Sequence, residues 1–186
     1  MNVIQTEFQG LVIVESTVFE DTRGYFFESY NRQSWEKAGI RTVFVQDNQS
    51  FSHYGVIRGL HFQMPPYEQA KLIRVLEGVI FDVALDLRRG TPTFGKWFGV
   101  ELSAENRRQL YIPRGFAHGF SVLSEQASVF YKCDNFYHPQ AERGIRYNDL
   151  HLDIRWKIDD TQVVVSPKDL NLPAFDTSGN YFIFTL

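Results

Sequence analysis

Apolar and polar residues alternate in short runs along most of this chain, and turn-forming residues interrupt them at intervals of roughly eight to twelve positions. That rhythm predicts an all-β sandwich or barrel. The clearest hairpin runs from Lys71 to Leu87: KLIRVL mixes branched apolar side chains with charge, Glu77-Gly78 makes the turn, and VIFDVALDL alternates. On the second strand Val79, Phe81, Val83, Leu85 and Leu87 share one face, and Ile80, Asp82, Ala84 and Asp86 share the other. Further strands are predicted over 10–15, 24–30, 42–47, 55–63, 96–102, 109–112, 116–123, 127–133 and 150–156. One helix stands out, Asn31 to Ala38, with Asn31 as its N-cap and Gly39 just past its end. From about residue 158 the tail is expected to fold as turns and one or two short helices. So many strands with so few helices close most simply as a jelly roll.

The 186 residues are enough for one domain with a substantial core. No repeat, low-complexity stretch or Pro/Gly/Ser-rich linker divides them, so 1–186 reads as a single domain. The net charge of -3, with no run of Lys/Arg, offers no basic stripe for nucleic acid. No stretch approaches the ~18 consecutive apolar residues of a membrane span. The opening MNVIQTEFQGLVIVES lacks the basic-then-apolar order of a signal peptide, so none is expected. Cys133 is the only cysteine and has no internal disulfide partner, which fits a reducing cytoplasm.

Chemistry concentrates in Gly55-Val-Ile-Arg-Gly-Leu-His61-Phe-Gln63, with Glu68 just beyond. The spacing G-x5-H-x-Q-x4-E overlays the first motif of the cupins, jelly-roll proteins in which two histidines and a glutamate bind a metal. Pro113-Arg-Gly115-Phe-Ala-His118 matches the core of their second motif. A transition-metal site wants three or four imidazole, thiolate or carboxylate ligands. Gln63 puts a neutral amide where the second histidine belongs, which argues against a metal, although His61, His118 and Glu68 leave a three-ligand site open.

Without a metal, His61 is either a satisfied core histidine or an acid–base group, the common use of an imidazole in catalysis. Arg58, His61 and Gln63 are read as polar residues in phase on one strand face, and buried polar groups need partners or a polar ligand. Lys71 and Arg74 fall on opposite faces of the next strand, and an inward ammonium beside a carbonyl oxygen would stabilise an enolate. Arg23, Glu28, Arg58 and Arg114 are ambiguous singly, although guanidinium forks suit a diphosphate. Tyr131 and Tyr137 frame a strand end where a phenol either packs or donates a proton. Cys133 has no neighbouring histidine to activate it as a nucleophile.

Taken together, Gln46-Asp-Asn48, the His61 and His118 motifs, Lys71-Leu-Ile-Arg-Val, Asp82-Val-Ala-Leu-Asp-Leu-Arg88, Leu102-Ser-Ala-Glu-Asn106, Val122-Leu-Ser-Glu125 and Lys168-Asp169 resemble the dTDP-4-dehydrorhamnose 3,5-epimerase family. The likeness covers roughly residues 2 to 176 in order. It implies a cofactor-free cupin acting as a homodimer, in which an N-terminal segment of one subunit closes the other's pocket. The implied base is His61 with Asp169 as its polarising carboxylate, and the implied acid is Tyr131. Substrate and nucleotide contacts would come from Arg23, Glu28, Gln46, Asn48, Arg58, Lys71, His118, Glu142 and Lys168, with Tyr137 stacking on thymine. Gln49, where many relatives carry histidine, departs from the pattern, and Phe136 and the tail after about Thr177 have no implied role. The rivals are a single-carbon epimerase, a non-catalytic nucleotide-sugar-binding cupin and a metal-dependent oxygenase.

Overall fold

The computed structural model describes residues 1–183. The chain opens with β1 (Asn2–Gln5), β2 (Val12–Glu15), the hairpin β3 (Val18–Asp21) and β4 (Gly24–Phe27), and helix α1 (Arg32–Lys37). Its central run is β5 (Gln46–His53), β6 (Val56–Gln63), β7 (Lys71–Glu77), β8 (Val79–Asp86), β9 (Arg88–Arg89), β10 (Trp97–Ser103), β11 (Arg108–Ile112), β12 (Phe116–Val122) and β13 (Gln126–Cys133). The last part adds β14 (Glu142–Gly144), a 3-10 turn (Asp160–Gln162), β15 (Val164–Val165), α2 (Pro167–Leu170) and β16 (Phe182–Ile183).

Two antiparallel sheets form the body, in the orders β1-β2-β11-β7-β13-β5 and β10-β8-β12-β6-β14, with β15 adding to β6 in parallel. Ile73, Val75, Leu110 and Val129 of the first sheet meet Ile80, Ala84, Phe120 and Val122 of the second in one buried cluster between them. This is the jelly roll expected from the strand count. The two faces of β8 divide as the alternation requires: Ile80 and Ala84 point into the barrel. Phe81, Val83, Leu85 and Leu87 pack behind the second sheet, where Leu152, Trp156 and Phe175 of the C-terminal part cover them. Helix α1 covers the outer face of the first sheet with Trp35, against Val12, Val14 and Tyr111. Its start is set by Asn31, whose side chain accepts from the N–H groups of Gln33 and Ser34.

Three strand expectations need correction. The strand placed over 42–47 starts at Gln46 and runs to His53. The sequence QDNQSFSH is too polar to signal a strand because β5 is an edge whose faces meet solvent and the polar end of the barrel. The segment 150–156 is turns and irregular backbone, and its alternation records Leu152 and Trp156 reaching the back of the second sheet without a strand partner. The strand over 24–30 stops at Phe27, just before the α1 cap. The tail has the short helices expected of it, together with two strand pairings that were not, β15 with β6 and β16 with β9. The last three residues of the 1–186 span lie outside the described residues.

Candidate active site

The barrel is apolar toward one end and polar toward the other, and β7 and β12 show the change along their length. On β7 the inward positions run from Val75 through Ile73 to Lys71; on β12 they run from Val122 through Phe120 to His118. On β6 simple alternation would separate Arg58 from His61, three positions away. The pairing with β12 slips between Arg58↔Phe120 and His61↔His118, so one residue is bulged out and both side chains reach the cavity. The in-phase reading of Arg58 therefore holds only through this bulge. Gly59 makes it possible, with φ +115 and no room for a side chain: a Cβ there would lie 2.6 Å from the Cα of Gly119 and 2.7 Å from the carbonyl oxygen of His118.

Two joined cavity lobes share His61, Lys71 and Tyr131. One, about 220 Å³, is also lined by Gln46, Asn48, Tyr137 and Glu142; the other, about 520 Å³, by Arg58, His118, Lys168 and Asp169. His61 comes from the second sheet, whereas Tyr131 and Lys71 come from the first, so the shared walls face each other across the barrel. His61 Nε2 lies 2.7 Å from Asp169 Oδ1, and the Gly59 N–H donates to the other carboxylate oxygen at 3.3 Å. Asp169 is delivered by α2, whose Ser166 cap accepts from the Asp169 N–H at 3.1 Å, with Pro167 at the first helical position. Burial alone would raise the Asp169 carboxyl, but the hydrogen bond and charge of His61, the Gly59 N–H and Lys168 outweigh it and hold it below its ordinary range.

A second pair lies beside the first. His118 Nε2 is 3.0 Å from Asp82 Oδ2, both side chains are buried, and burial drives the His118 pKa down against the attraction of Asp82. Burial also lowers the pKa of the Lys71 ammonium, opposed by Cys133, Asp82 and Glu142. The Tyr131 phenol is raised by burial, reinforced by Cys133 and opposed by Arg58. Lys71 Nζ stands 5.8 Å from the centre of the Tyr131 ring. At the mouth, Glu142 Oε2 accepts from both Tyr137 OH and Lys168 Nζ at 2.7 Å. Cys133 is buried with its thiol pushed up by burial, so it is a poor nucleophile.

Of the three groups that leave a metal site open, His61 is taken up by Asp169, His118 by Asp82, and Glu68 lies 3.8 Å from Arg114. Among the described residues no cluster of three or more His, Cys, Asp or Glu side chains is placed to hold a metal ion. No helix among them is long and apolar enough to cross a membrane.

Residues 5–177 match the profile of the dTDP-4-dehydrorhamnose 3,5-epimerase family. The chain belongs to this family. The dTDP-4-dehydrorhamnose 3,5-epimerase of Shigella flexneri is 52% identical over 184 residues, 98% of this chain and 100% of that protein. The crystal structure of the Elizabethkingia anophelis NUHP1 enzyme of the same name superposes with a TM-score of 0.90 at 53% identity, covering 94% of this chain and 96% of that one. The structure of the Legionella pneumophila epimerase in complex with dTDP-4-keto-L-rhamnose superposes with a TM-score of 0.86 at 48% identity, covering 95% and 99%. The chain is thus an isomerase, an epimerase of the dTDP-sugar class built on a cupin jelly roll.

Eleven of the residues that the resemblance to the epimerase family implied line the two lobes: Gln46, Asn48, Arg58, His61, Lys71, His118, Tyr131, Tyr137, Glu142, Lys168 and Asp169. Two do not. Arg23 pairs with Asp21 on the exposed β3–β4 hairpin, and Glu28 accepts from Asn31, both outside the cavity of their own chain. Arg74 lies on the outer face of the first sheet, opposite Lys71 as the alternation predicts, and Arg114 ties Asp134 at the rim. Asp82 was missed as a site residue. Its signal is present, a carboxylate on the inward face of β8 between the apolar Ile80 and Ala84.

Proposed function

We propose that this epimerase inverts both C3 and C5 of dTDP-4-dehydro-6-deoxy-D-glucose, giving dTDP-4-dehydro-L-rhamnose for dTDP-L-rhamnose biosynthesis, with His61 as the base. The observation that carries the reading is the 2.7 Å pair of His61 with buried Asp169, opening onto the cavity that Lys71 and Tyr131 wall from the facing sheet. The C4 ketone acidifies the hydrogens on C3 and C5, because loss of either leaves an enolate. Asp169 keeps a proton on Nε2 of His61, so the Nδ1 lone pair takes the substrate proton. The Lys71 ammonium stabilises the enolate oxygen. Inversion needs a proton returned to the opposite face, the part Tyr131 plays at C5 from the sheet across the barrel; the phenol then regains a proton from solvent and His61 releases its own. No metal or redox cofactor enters these steps.

Remote contacts position the sugar between base and acid. Arg58 and Lys168 take the diphosphate, Gln46, Asn48 and Glu142 bind around it, and Tyr137 stacks on thymine. The unit that acts is the 1–186 chain as one domain, paired as a homodimer. The pairing is supported by the projecting β3–β4 hairpin, where Phe19 and Phe26 are 63% and 69% exposed and Arg23 and Glu28 lack a pocket. In the dimer these residues close the partner subunit's cavity.

Proton NMR of the product formed from dTDP-4-dehydro-6-deoxyglucose by chelator-treated protein tests the reading. The expected product is inverted at both carbons, with full activity retained. A product inverted at one carbon would make the chain a single epimerase, and activity that depends on added metal would overturn the cofactor-free mechanism.

A further inference from the structure

A glutamine stands where the cupin metal pattern calls for a second histidine, and Gln63 is 4% exposed. Its amide is not left free toward the cavity. Nε2 donates to the Tyr67 carbonyl at 2.6 Å and to the Phe136 carbonyl at 3.2 Å, while Oε1 accepts from the His138 N–H at 2.6 Å. The Phe136 carbonyl and the His138 N–H belong to the two peptide groups on either side of Tyr137. Gln63 therefore grips the backbone that carries the aromatic at the cavity mouth, and anchors it to the rim segment that follows β6. A carboxylate of the same shape accepts but cannot donate, so the arrangement specifically needs an amide.

Neighbouring contacts join the same two segments. Gln69 Nε2 donates to the Asn135 carbonyl at 2.7 Å, and the Tyr67 ring stacks on the His138 imidazole with centres 3.8 Å apart at 17°. Tyr137 is itself fixed by its N–H, which donates to Gln46 Oε1 at 2.9 Å, and by its hydroxyl on Glu142. Tyr137 is 51% exposed and lines the smaller lobe.

We propose that Gln63 is a positioning residue for nucleotide recognition, a clamp that stands where the cupin pattern has a metal ligand and holds Tyr137 by its flanking peptide groups. The proposal rests on the reading above, in which Tyr137 stacks on the base. It predicts a split between binding and turnover, because the clamp touches neither His61 nor Tyr131.

The test is Gln63→Glu, which keeps the shape and the acceptor but sets a carboxylate against two carbonyl oxygens. The Kd of dTDP and the KM of the dTDP-sugar should both rise about ten-fold or more, while kcat stays within about three-fold. In a Tyr137→Ala background the same substitution should add little, since it acts through that ring. An equal effect in both backgrounds, or a fall in kcat with unchanged dTDP affinity, would overturn the clamp. Should Gln63→Glu fail to fold, Gln63→Met keeps the length and removes both the donor and the acceptor, and a rise of about three-fold or more in the dTDP Kd is expected; no rise would count against the clamp. Unchanged dTDP affinity in Tyr137→Ala would sink the nucleotide reading and this proposal with it. A loss in Tyr137→Ala without one in Gln63→Glu would sink the clamp alone.

Discussion

Two histidine–aspartate pairs lie side by side in this barrel, on residues that are direct partners across β6 and β12, and they differ in burial. The His61 side chain keeps 30% of its surface and faces the cavity, with only Asp169 buried behind it. His118 keeps 8% and Asp82 none. The same two functional groups at nearly the same distance are therefore suited to two kinds of work. An imidazole that is open on one side, with a carboxylate fixing its proton on the other, is suited to take and release protons. One whose pKa burial pushes down stays neutral and serves as a fixed hydrogen-bonding group. Pairing alone does not separate the two; side-chain exposure does.

The sharpest way to break this contrast is to remove each imidazole in turn. His61→Asn should lower kcat by about 10³-fold or more, as expected for loss of a general base, whereas His118→Asn should lower it by about 10²-fold or less. Steady-state kinetics on both variants decides the matter, and equal losses would erase the distinction drawn from burial.

Asp169→Asn is expected to have the next largest effect, about 10²-fold in kcat, because the amide no longer stabilises the charged imidazole. It carries a second signature in stability. The folded Asp169 carboxyl lies below its ordinary range, so between the two pKa values the unfolded chain binds a proton that the folded chain does not. Its contribution is complete above the unfolded aspartate value near about pH 4 and is lost as pH falls through the folded value. Urea unfolding from pH 7 down to pH 3 should therefore show wild type losing more stability than the variant. A parallel decline would mean that the pair does not set this carboxyl.

The smallest effect is structural and tests the bulge that brings Arg58 and His61 together. Gly59→Ala forces a methyl against the backbone of His118 and Gly119, and should cost about 2 kcal/mol or more of unfolding free energy, read by urea denaturation, along with catalysis. A fully stable and active variant would show that the slip in register is not what assembles the site.

The sequence and the structure agree best where pattern and burial coincide. The β8 alternation, the α1 cap at Asn31 and the opposed faces of Lys71 and Arg74 follow from side-chain period and capping chemistry alone. Period failed at β5, where an edge strand of polar residues carries no alternation, and at 150–156, where alternation reflects packing behind a sheet. Most of the residues that line the cavity were legible through family motifs, and Asp169 only so, since no local rule connects it to a histidine 108 residues away. The work of Gln63 was invisible for a related reason. Its partners are backbone groups of segments brought close by the fold, and backbone leaves no trace in residue identity.

Hydrogen exchange tests most directly whether His61 removes the protons on both sides of the ketone. Wild type incubated with dTDP-4-dehydro-6-deoxyglucose in D2O should place deuterium at both C3 and C5, and His61→Asn should place it at neither. Label confined to one carbon in wild type, or exchange persisting at either carbon in the variant, would contradict it.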